Sequence, residues 1–441
     1  MAQERILFDA TRLIRRAASA TPTGVDRVEL TYGRHMLATY GEDVEFIARW
    51  QSRYWHLSTP SFSDFVAGRL ERWSFGAHRV RRTEVERIAR FVGAPVEQFA
   101  NRSHSTAAVP SLSRPLYQLG REALLGARGL LSRMISLSAR RRQSIYVNVS
   151  HEGLHQPATL RRLVNRRKLA PIYLVHDLIP IDHPEYVRPG HAQKHVDRIE
   201  AISTTAAATI VNSAQTKRDL LKHVRRHHGD IDKVVVAPLG VDRRFAPQQV
   251  NDLSSEPYFL IIGTIEPRKN HLFMLQVWRS LVQRLGAAAP KLVIVGRRGW
   301  ENENVIDMIE RCEQIGDHVL ECGRVPDQVL HRLLVGARAV LFPSFAEGYG
   351  LPLVEGLSCS VPVICSDLPV FHELGNGVPD YLDPLDGPGW METIIDYAQP
   401  ASPRRQAQLA RLARFKAPTW DRHFDIFDGV VDDVRKRYDI C

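Results

Sequence analysis

Two glutamates, Glu347 and Glu355, bracket the run Gly348-Tyr349-Gly350-Leu351-Pro352. The run follows a short apolar stretch, Ala339–Pro343, that reads as a β-strand. Gly348 and Gly350 let backbone approach a ligand closely. Pro352 suits a first helical turn, and a helix opening there would aim its free N–H groups at the same ligand, which suits a phosphate. A carboxylate in the loop and a second about one turn into the helix could hold sugar or ribose hydroxyls through charge-assisted hydrogen bonds. An acidic first turn also favours the helix dipole for structural reasons alone, so the pair needs support from elsewhere.

Support comes from Gly263-Thr264-Ile265-Glu266-Pro267-Arg268-Lys269-Asn270, which ends another apolar stretch and opens a helical pattern. Basic residues at a helix start oppose the macrodipole. Arg268 and Lys269 are better explained as neutralising a diphosphate. Three further loops follow strand-like runs. His176 ends Tyr173-Leu174-Val175-His176-Asp177, although a lone histidine after a strand is more often structural. Thr21-Pro22-Thr23-Gly24-Val25-Asp26-Arg27 offers Gly24, Val25 and Arg27 at a helix start that could cradle a phosphate or acceptor. Ser213, after Val211-Asn212, reads as an N-cap.

Positioning these loops requires alternating strands and helices. Strands are expected at Ile6–Ala10, Val44–Ala48, Ile145–Val149, Ile172–Val175, Thr209–Asn212 and Val234–Ala237, with helices such as Val25–Tyr40 and Gln215–Val224 between them. After a polar stretch at Ala246–Glu256 the alternation restarts with Tyr258–Ile265, Lys291–Val295, Val319–Cys322, Ala339–Pro343 and Val361–Ser366. Such alternation implies parallel sheets covered by helices. It predicts an α/β chain of two doubly wound, Rossmann-like domains facing a central cleft: 1–250 and 255–418, with a closing helix at Thr419–Lys436 (segment 419–441) returning to the first. Ligands of such sheets bind beyond the carboxyl ends of the strands, where the loops above fall.

Composition narrows the chemistry. The chain has 441 residues, 44% hydrophobic and 24% charged, with a net charge of +10. Residues 1–250 hold 39 Lys and Arg against 23 Asp and Glu, and the remainder 20 against 26. A basic front half suits an anionic surface or substrate. Residues Arg102–Arg142 carry eight arginines and one acid, Glu122, beside an apolar stripe from Leu116 to Leu137. That pattern fits a helix lying on an anionic membrane and equally a helix packed on its own domain. The five cysteines form no C-x-x-C pair, which favours free thiols. Charge interrupts the N-terminus before a signal-peptide core, and no apolar run is long enough to span a bilayer. The expected location is the cytoplasm, peripheral on the inner face of the membrane. No G-x-G-x-x-G follows the first strand and no Walker motif occurs, which disfavours dinucleotide oxidoreductases and P-loop ATPases. Asp230-Ile231-Asp232 precedes a strand, on the wrong edge of the sheet for a metal–sugar motif, and reads as a turn.

With these residues in place, the chain resembles the family-4 retaining glycosyltransferases of the GT-B fold. The resemblance rests on the E-x7-E motif Glu347–Glu355, preceded by Phe342-Pro343-Ser344 and followed by Val361-Pro362-Val363-Ile364. The Glu-Pro-Arg-Lys-Asn run is similar to that of bacterial mannosyl- and rhamnosyltransferases. Many members have arginine after the glycine where this chain has Thr264, and two glycines in the first loop where it has one.

The resemblance implies a metal-independent hexosyltransferase. Glu347 would hold the donor sugar and Glu355 the nucleotide ribose; Arg268 and Lys269 would grip the diphosphate, and His176 would position the donor sugar or the acceptor. Gly348, Tyr349, Gly350, Leu351, Gly263 and Thr264 complete the donor site. The expected donor is GDP-mannose, with no metal and no other cofactor. The expected acceptor is a saccharide or lipid-linked saccharide of cell-surface polysaccharide synthesis. A nucleotide-sugar epimerase on the same fold is the alternative. A nucleic-acid-binding protein is a remote one, since few aromatics interleave with the arginines and no recognition module appears.

Overall fold

A computed structural model describes residues 5–19, 21–50, 53–75, 82–99, 143–245 and 256–440. The first sheet has seven strands in the order β3-β2-β1-β4-β5-β6-β7. They are β1 (Ile6–Asp9), β2 (Val44–Trp50), β3 (Arg53–Leu57), β4 (Ser144–Asn148), β5 (Leu169–Val175), β6 (Ala208–Val211) and β7 (Val234–Val236). All pairings are parallel except β2 with β3. Every residue of β1, β4, β5 and β6 is buried. Their near-continuous apolar runs are what a parallel sheet covered on both faces requires.

The second sheet has six parallel strands in the order β10-β9-β8-β11-β12-β13. These are β8 (Tyr258–Ile262), β9 (Lys291–Val295), β10 (Val319–Gly323), β11 (Ala339–Phe342), β12 (Val363–Ser366) and β13 (Asp380–Leu382). Trp278 and Trp390 are fully buried beside it. They lie on the helices His271–Leu285 and Gly387–Ala398, where Phe273 meets Trp390 edge-on at 6.4 Å.

Two strands escaped the sequence reading. β3 is Arg-Tyr-Trp-His-Leu, without the β-branched run used as the signal. β13 has three residues, too few to show a period. The expected helix from Val25 to Tyr40 is Gly24–His35 followed by a π-helical turn, Met36–Tyr40.

The last helix, Trp420–Arg437, is capped by the Thr419 hydroxyl and packs on the first sheet. Tyr32 meets His423, Phe424 and Phe427 edge-on at 5.3, 5.2 and 5.1 Å. Its hydroxyl lies 2.7 Å from His423 Nε2, whose ring also contacts the Ala237 carbonyl. Asp230 and Asp232 sit before β7 as expected. Asp230 accepts the Ile231 N–H, and Asp232 pairs with Arg437 of the closing helix. Cys322, Cys359 and Cys365 are buried free thiols and Cys312 is half-buried. The segment Arg102–Arg142, most of the polar linker and Cys441 lie outside the described residues.

Candidate functional site between the two sheets

The loops after β1, β5, β6, β8, β9, β10 and β11 converge on a cavity of about 560 Å³. That is ample for a drug-sized or nucleotide ligand. Its floor is an ion cluster. Arg268 Nη1 lies 2.8 Å from Glu347 Oε2, Lys269 Nζ donates to Glu347 Oε1, and Arg268 Nε reaches Glu266 Oε1 at 2.6 Å. Burial pushes the Glu347 carboxyl up, but Arg268 and then Lys269 outweigh it and hold the group at about 2. Glu347 is therefore an anion at neutral pH, aimed by two cations. The Lys269 ammonium also sits 4.5 Å above the Phe342 ring, a favourable placement for a partly desolvated cation.

Local sequence explains this placement. Lys269 ends a 3₁₀ turn, Pro267–Lys269. Asn270 then adopts a left-handed conformation (φ 59°), and only after it does the helix His271–Leu285 begin. Arg268 and Lys269 thus lie on a turn before the helix rather than at its first residues, and they are paired with carboxylates. Gly263 has φ +153°. A Cβ on Gly296 would fall 1.6 Å from the Gly263 carbonyl oxygen, so the loops after β8 and β9 touch only because residue 296 is glycine. Thr264 lines the cavity beside them.

Gly350, at φ +109°, caps the helix Leu351–Ser358 with Pro352 in its first turn. Glu355 lies in that helix and lines the cavity. Burial raises its carboxyl to about 7, against the pull of Arg27. Arg27 arrives from the other sheet. Its guanidinium grips Asp327 at 2.7 and 3.2 Å across the cleft, and Arg244 also pairs with Asp327. Thr23 and Asp26 form a capping box on the helix Gly24–His35, and Arg12 and Arg16 hold Asp26 at 2.8 and 2.6 Å. The loop bearing Gly24 and Val25 is therefore fixed, with Gly24 close enough to Leu351 that an added Cβ would stand 3.4 Å from its Cδ1.

His176 is buried at the cavity wall. Its Nε2–H donates to the Val149 carbonyl at 2.7 Å, and burial pushes its pKa down. The neutral ring that results has Nδ1 as an acceptor, suited to receiving a hydroxyl rather than delivering a proton. The Asn212 amide donates to the His176 carbonyl at 2.9 Å. Ser213 caps the helix Ala214–Arg226 as expected. Its hydroxyl and that of Thr216 also each donate to the Gly348 carbonyl at 3.2 Å. Tyr349 is spent on the seam itself, its hydroxyl donating to the Leu239 carbonyl at 2.6 Å.

The structure therefore brings the candidate donor, catalytic and acceptor-loop residues, from Gly24 to Glu355, to one cleft; Ser213 stands beside it as a cap. It adds some that were missed: Asp177, Asn212 and Thr216, Arg244 and Asp327, and the exposed cations Arg297 and Arg324 at the mouth. Gly296-Arg297-Arg298-Gly299 after β9 had the same glycine-and-cation character as the Gly263 loop and could have been found. Asp327 and Arg244 are ordinary charged residues until the fold makes them neighbours.

Two doubly wound sheets with a ligand-sized cleft and paired glutamates define the architecture of a GT-B glycosyltransferase, and comparisons with known proteins agree. Residues 242–376 match the family model "Glycosyl transferases group 1", so the chain carries a domain of that family. Among curated relatives, the O-antigen chain mannosyltransferase B of Escherichia coli is 30% identical over 255 residues, 56% of this chain and 66% of that protein. The O-antigen chain mannosyltransferase RfbU of Salmonella typhimurium is 26% identical over 51% of this chain and 60% of its own length. The serotype-specific mannosyltransferase WbdA of Escherichia coli is 28% identical, with only 26% of it covered. The chain thus spans two thirds or less of these relatives. In fold it is similar to an α,α-trehalose-phosphate synthase (UDP-forming) from Burkholderia vietnamiensis. The TM-score is 0.57 at 13% identity, over 98% of this chain and 100% of that one. These curated relatives are mannosyltransferases, and the epimerase alternative gains no support from them.

Proposed function

We propose that the protein is a retaining, metal-independent hexosyltransferase that moves mannose from GDP-mannose to a saccharide or lipid-linked saccharide in cell-surface polysaccharide synthesis. The observation that carries this reading is Glu347, a buried anion held between Arg268 and Lys269 on the floor of the cleft, with Glu355 about one turn into the helix that follows. The mannosyltransferase relatives support the choice of sugar.

When donor binds, its diphosphate takes a share of the two cations, and Glu347 turns its lone pairs to the sugar hydroxyls. Glu355 holds the ribose and His176 Nδ1 accepts a donor-sugar hydroxyl. The bond from the anomeric carbon to the diphosphate oxygen breaks, leaving an oxocarbenium-like centre. The acceptor hydroxyl then bonds to that carbon from the same face, and its proton passes to the departing phosphate oxygen. Fixed cations stabilise the charge that develops on the leaving group. Among the described residues, no group of three or more His, Cys, Asp or Glu side chains is arranged to hold a metal ion; chelation tests the metal-independent reading directly.

The test is a panel of nucleotide sugars screened for thermal stabilisation of the pure protein, with donor hydrolysis read in parallel. GDP-mannose should stabilise the wild type and be hydrolysed slowly, and Glu355→Ala should lose the stabilisation. Stabilisation by no nucleotide sugar would overturn the reading.

Among the described residues no helix is long and apolar enough to cross a membrane. We place the protein on the inner face of the membrane through the arginine-rich segment 102–142, without a nucleic-acid partner. Co-sedimentation with anionic liposomes should weaken with salt and fall when Arg128, Arg133 and Arg140–Arg142 are changed to Gln.

A further inference from the structure

A second cavity, of about 520 Å³, lies on the far side of the Phe345–Gly348 loop. It shares Asp177, Ile179, Glu347 and Gly348 with the main cleft. The two cavities thus share Glu347 as a lining residue, as neighbouring sites for two substrates would.

One wall is the helix Ala214–Arg226. Its first turn is anchored at the reaction centre, where Ser213 and Thr216 hold the Gly348 carbonyl. The helix then leads away, and beyond Gln215, whose amide donates to Asp219 at 2.8 Å, the residues it turns to the cavity fall one turn apart: Thr216, Asp219, Lys222 with His223, and Arg226. At 1.5 Å per residue, Asp219 is about 5 Å along the axis from Thr216, Lys222 about 9 Å and Arg226 about 15 Å.

Asp182 faces this wall from the short helix Ile179–Asp182 that follows β5. Burial pushes its carboxyl up, as does Asp219, while His183, Lys222 and Arg226 pull it down, so all five groups converge on one space. Phe345 closes the inner end, stacked on Tyr186 at 5.8 Å with 9° between the rings. Carboxylates beside an aromatic face near the reaction centre suit the hydroxyls and C–H face of a sugar. Lys222 and Arg226, both exposed at the outer end, suit an anion.

We propose that this cavity is the acceptor subsite, and that the acceptor is a saccharide bearing a phosphate about 10–15 Å from the reacting hydroxyl. Asp182 and Asp219 hold the sugar, and Lys222 and Arg226 hold the phosphate. This rests on the transferase reading above and names the chemistry of its second substrate.

The test compares α-mannobiose 1-phosphate with methyl α-mannobioside, by calorimetry on the full-length protein with and without GDP. The phosphate should improve affinity about tenfold or more, the scale of one or two charge-assisted hydrogen bonds. In the double variant Lys222→Gln/Arg226→Gln that advantage should vanish while GDP affinity is unchanged. Asp219→Asn should weaken both saccharides alike. No advantage for the phosphate, or an advantage that survives the double variant, overturns the proposal. So does a double variant that loses only binding to phosphatidylglycerol vesicles, because the cations would then meet lipid headgroups and not acceptor. GDP binding reports separately on the donor reading: if GDP fails to bind while the saccharides are still discriminated, the donor assignment falls and this subsite stands.

Discussion

Gly348 is where the loop after β11 meets the loop after β5 across the cleft, and Gly348→Ala measures what that contact is for. A Cβ at this position would lie 2.5 Å from the His176 carbonyl oxygen and 2.5 Å from Asp177 Cβ, both across the cleft. Ordinary contact begins near 3.4 Å, so the walls must part by roughly 1 Å, and a misplacement of that size costs about a hundredfold in rate. This is about 2.7 kcal/mol on the barrier. Parting also stretches the hydrogen bonds from Ser213 and Thr216 to the Gly348 carbonyl, each 3.2 Å. Neither sheet's core is touched, so Tm should fall by no more than about 4 °C. GDP binding, which the proposed function assigns to Arg268, Lys269 and Glu355, should change little. The assay is steady-state transfer alongside GDP calorimetry. Gly316→Ala serves as the control, because an added Cβ there meets nothing within 4 Å. Near-wild-type kcat in a folded Gly348→Ala protein would refute the claim that this backbone approach sets the catalytic geometry.

Other expectations follow from the same cleft. Glu347→Gln should abolish transfer by about 10²–10³-fold, the scale for removing one preorganised electrostatic group, with GDP binding retained; turnover close to normal removes Glu347 from the site. Glu355 has a raised pKa of about 7, so the stability its buried neutral form contributes is present in full below about pH 4.5 and is lost as pH rises through 7. Thermal melts of Glu355→Gln should therefore drop less than wild type between pH 5 and 8, while wild-type donor affinity, which needs the anion, rises over the same range; parallel melting profiles would count against the shift. Arg27→Ala should cost about 1–3 kcal/mol in chemical denaturation, since Asp327 keeps Arg244, and should raise donor KM. EDTA should leave transfer intact; loss on chelation with recovery in magnesium or manganese would overturn the electrostatic account of the leaving group.

Much of this was legible because it is local. A β-branched run followed by glycine and a helix start is one continuous stretch of chain, so β8 with Gly263 and β11 with Gly348 could be placed from the residues alone. Glu347 and Glu355 share a loop and its helix, and Ser213 caps the helix it immediately precedes. Turn chemistry and strand periodicity act over a few residues, which is why they survive in a linear reading.

What only the tertiary structure decided are the partnerships between distant segments. Nothing in the order of residues joins Arg27 to Asp327, or the Tyr349 hydroxyl to Leu239. The sequence pointed to Arg268 and Lys269 as a free cationic grip; folding pairs them with Glu266 and Glu347, because a buried cation takes the nearest carboxylate rather than stay unpaired. Ser213 read as a cap and is also a clasp on Gly348, since the carbonyl it holds arrives from the other sheet. β3 and β13 form because a neighbouring strand offers its edge, whatever their own propensity. Residue types and spacing therefore pointed to the chemistry proposed for this cleft. The packing of one sheet against the other decided which charges are free to perform it.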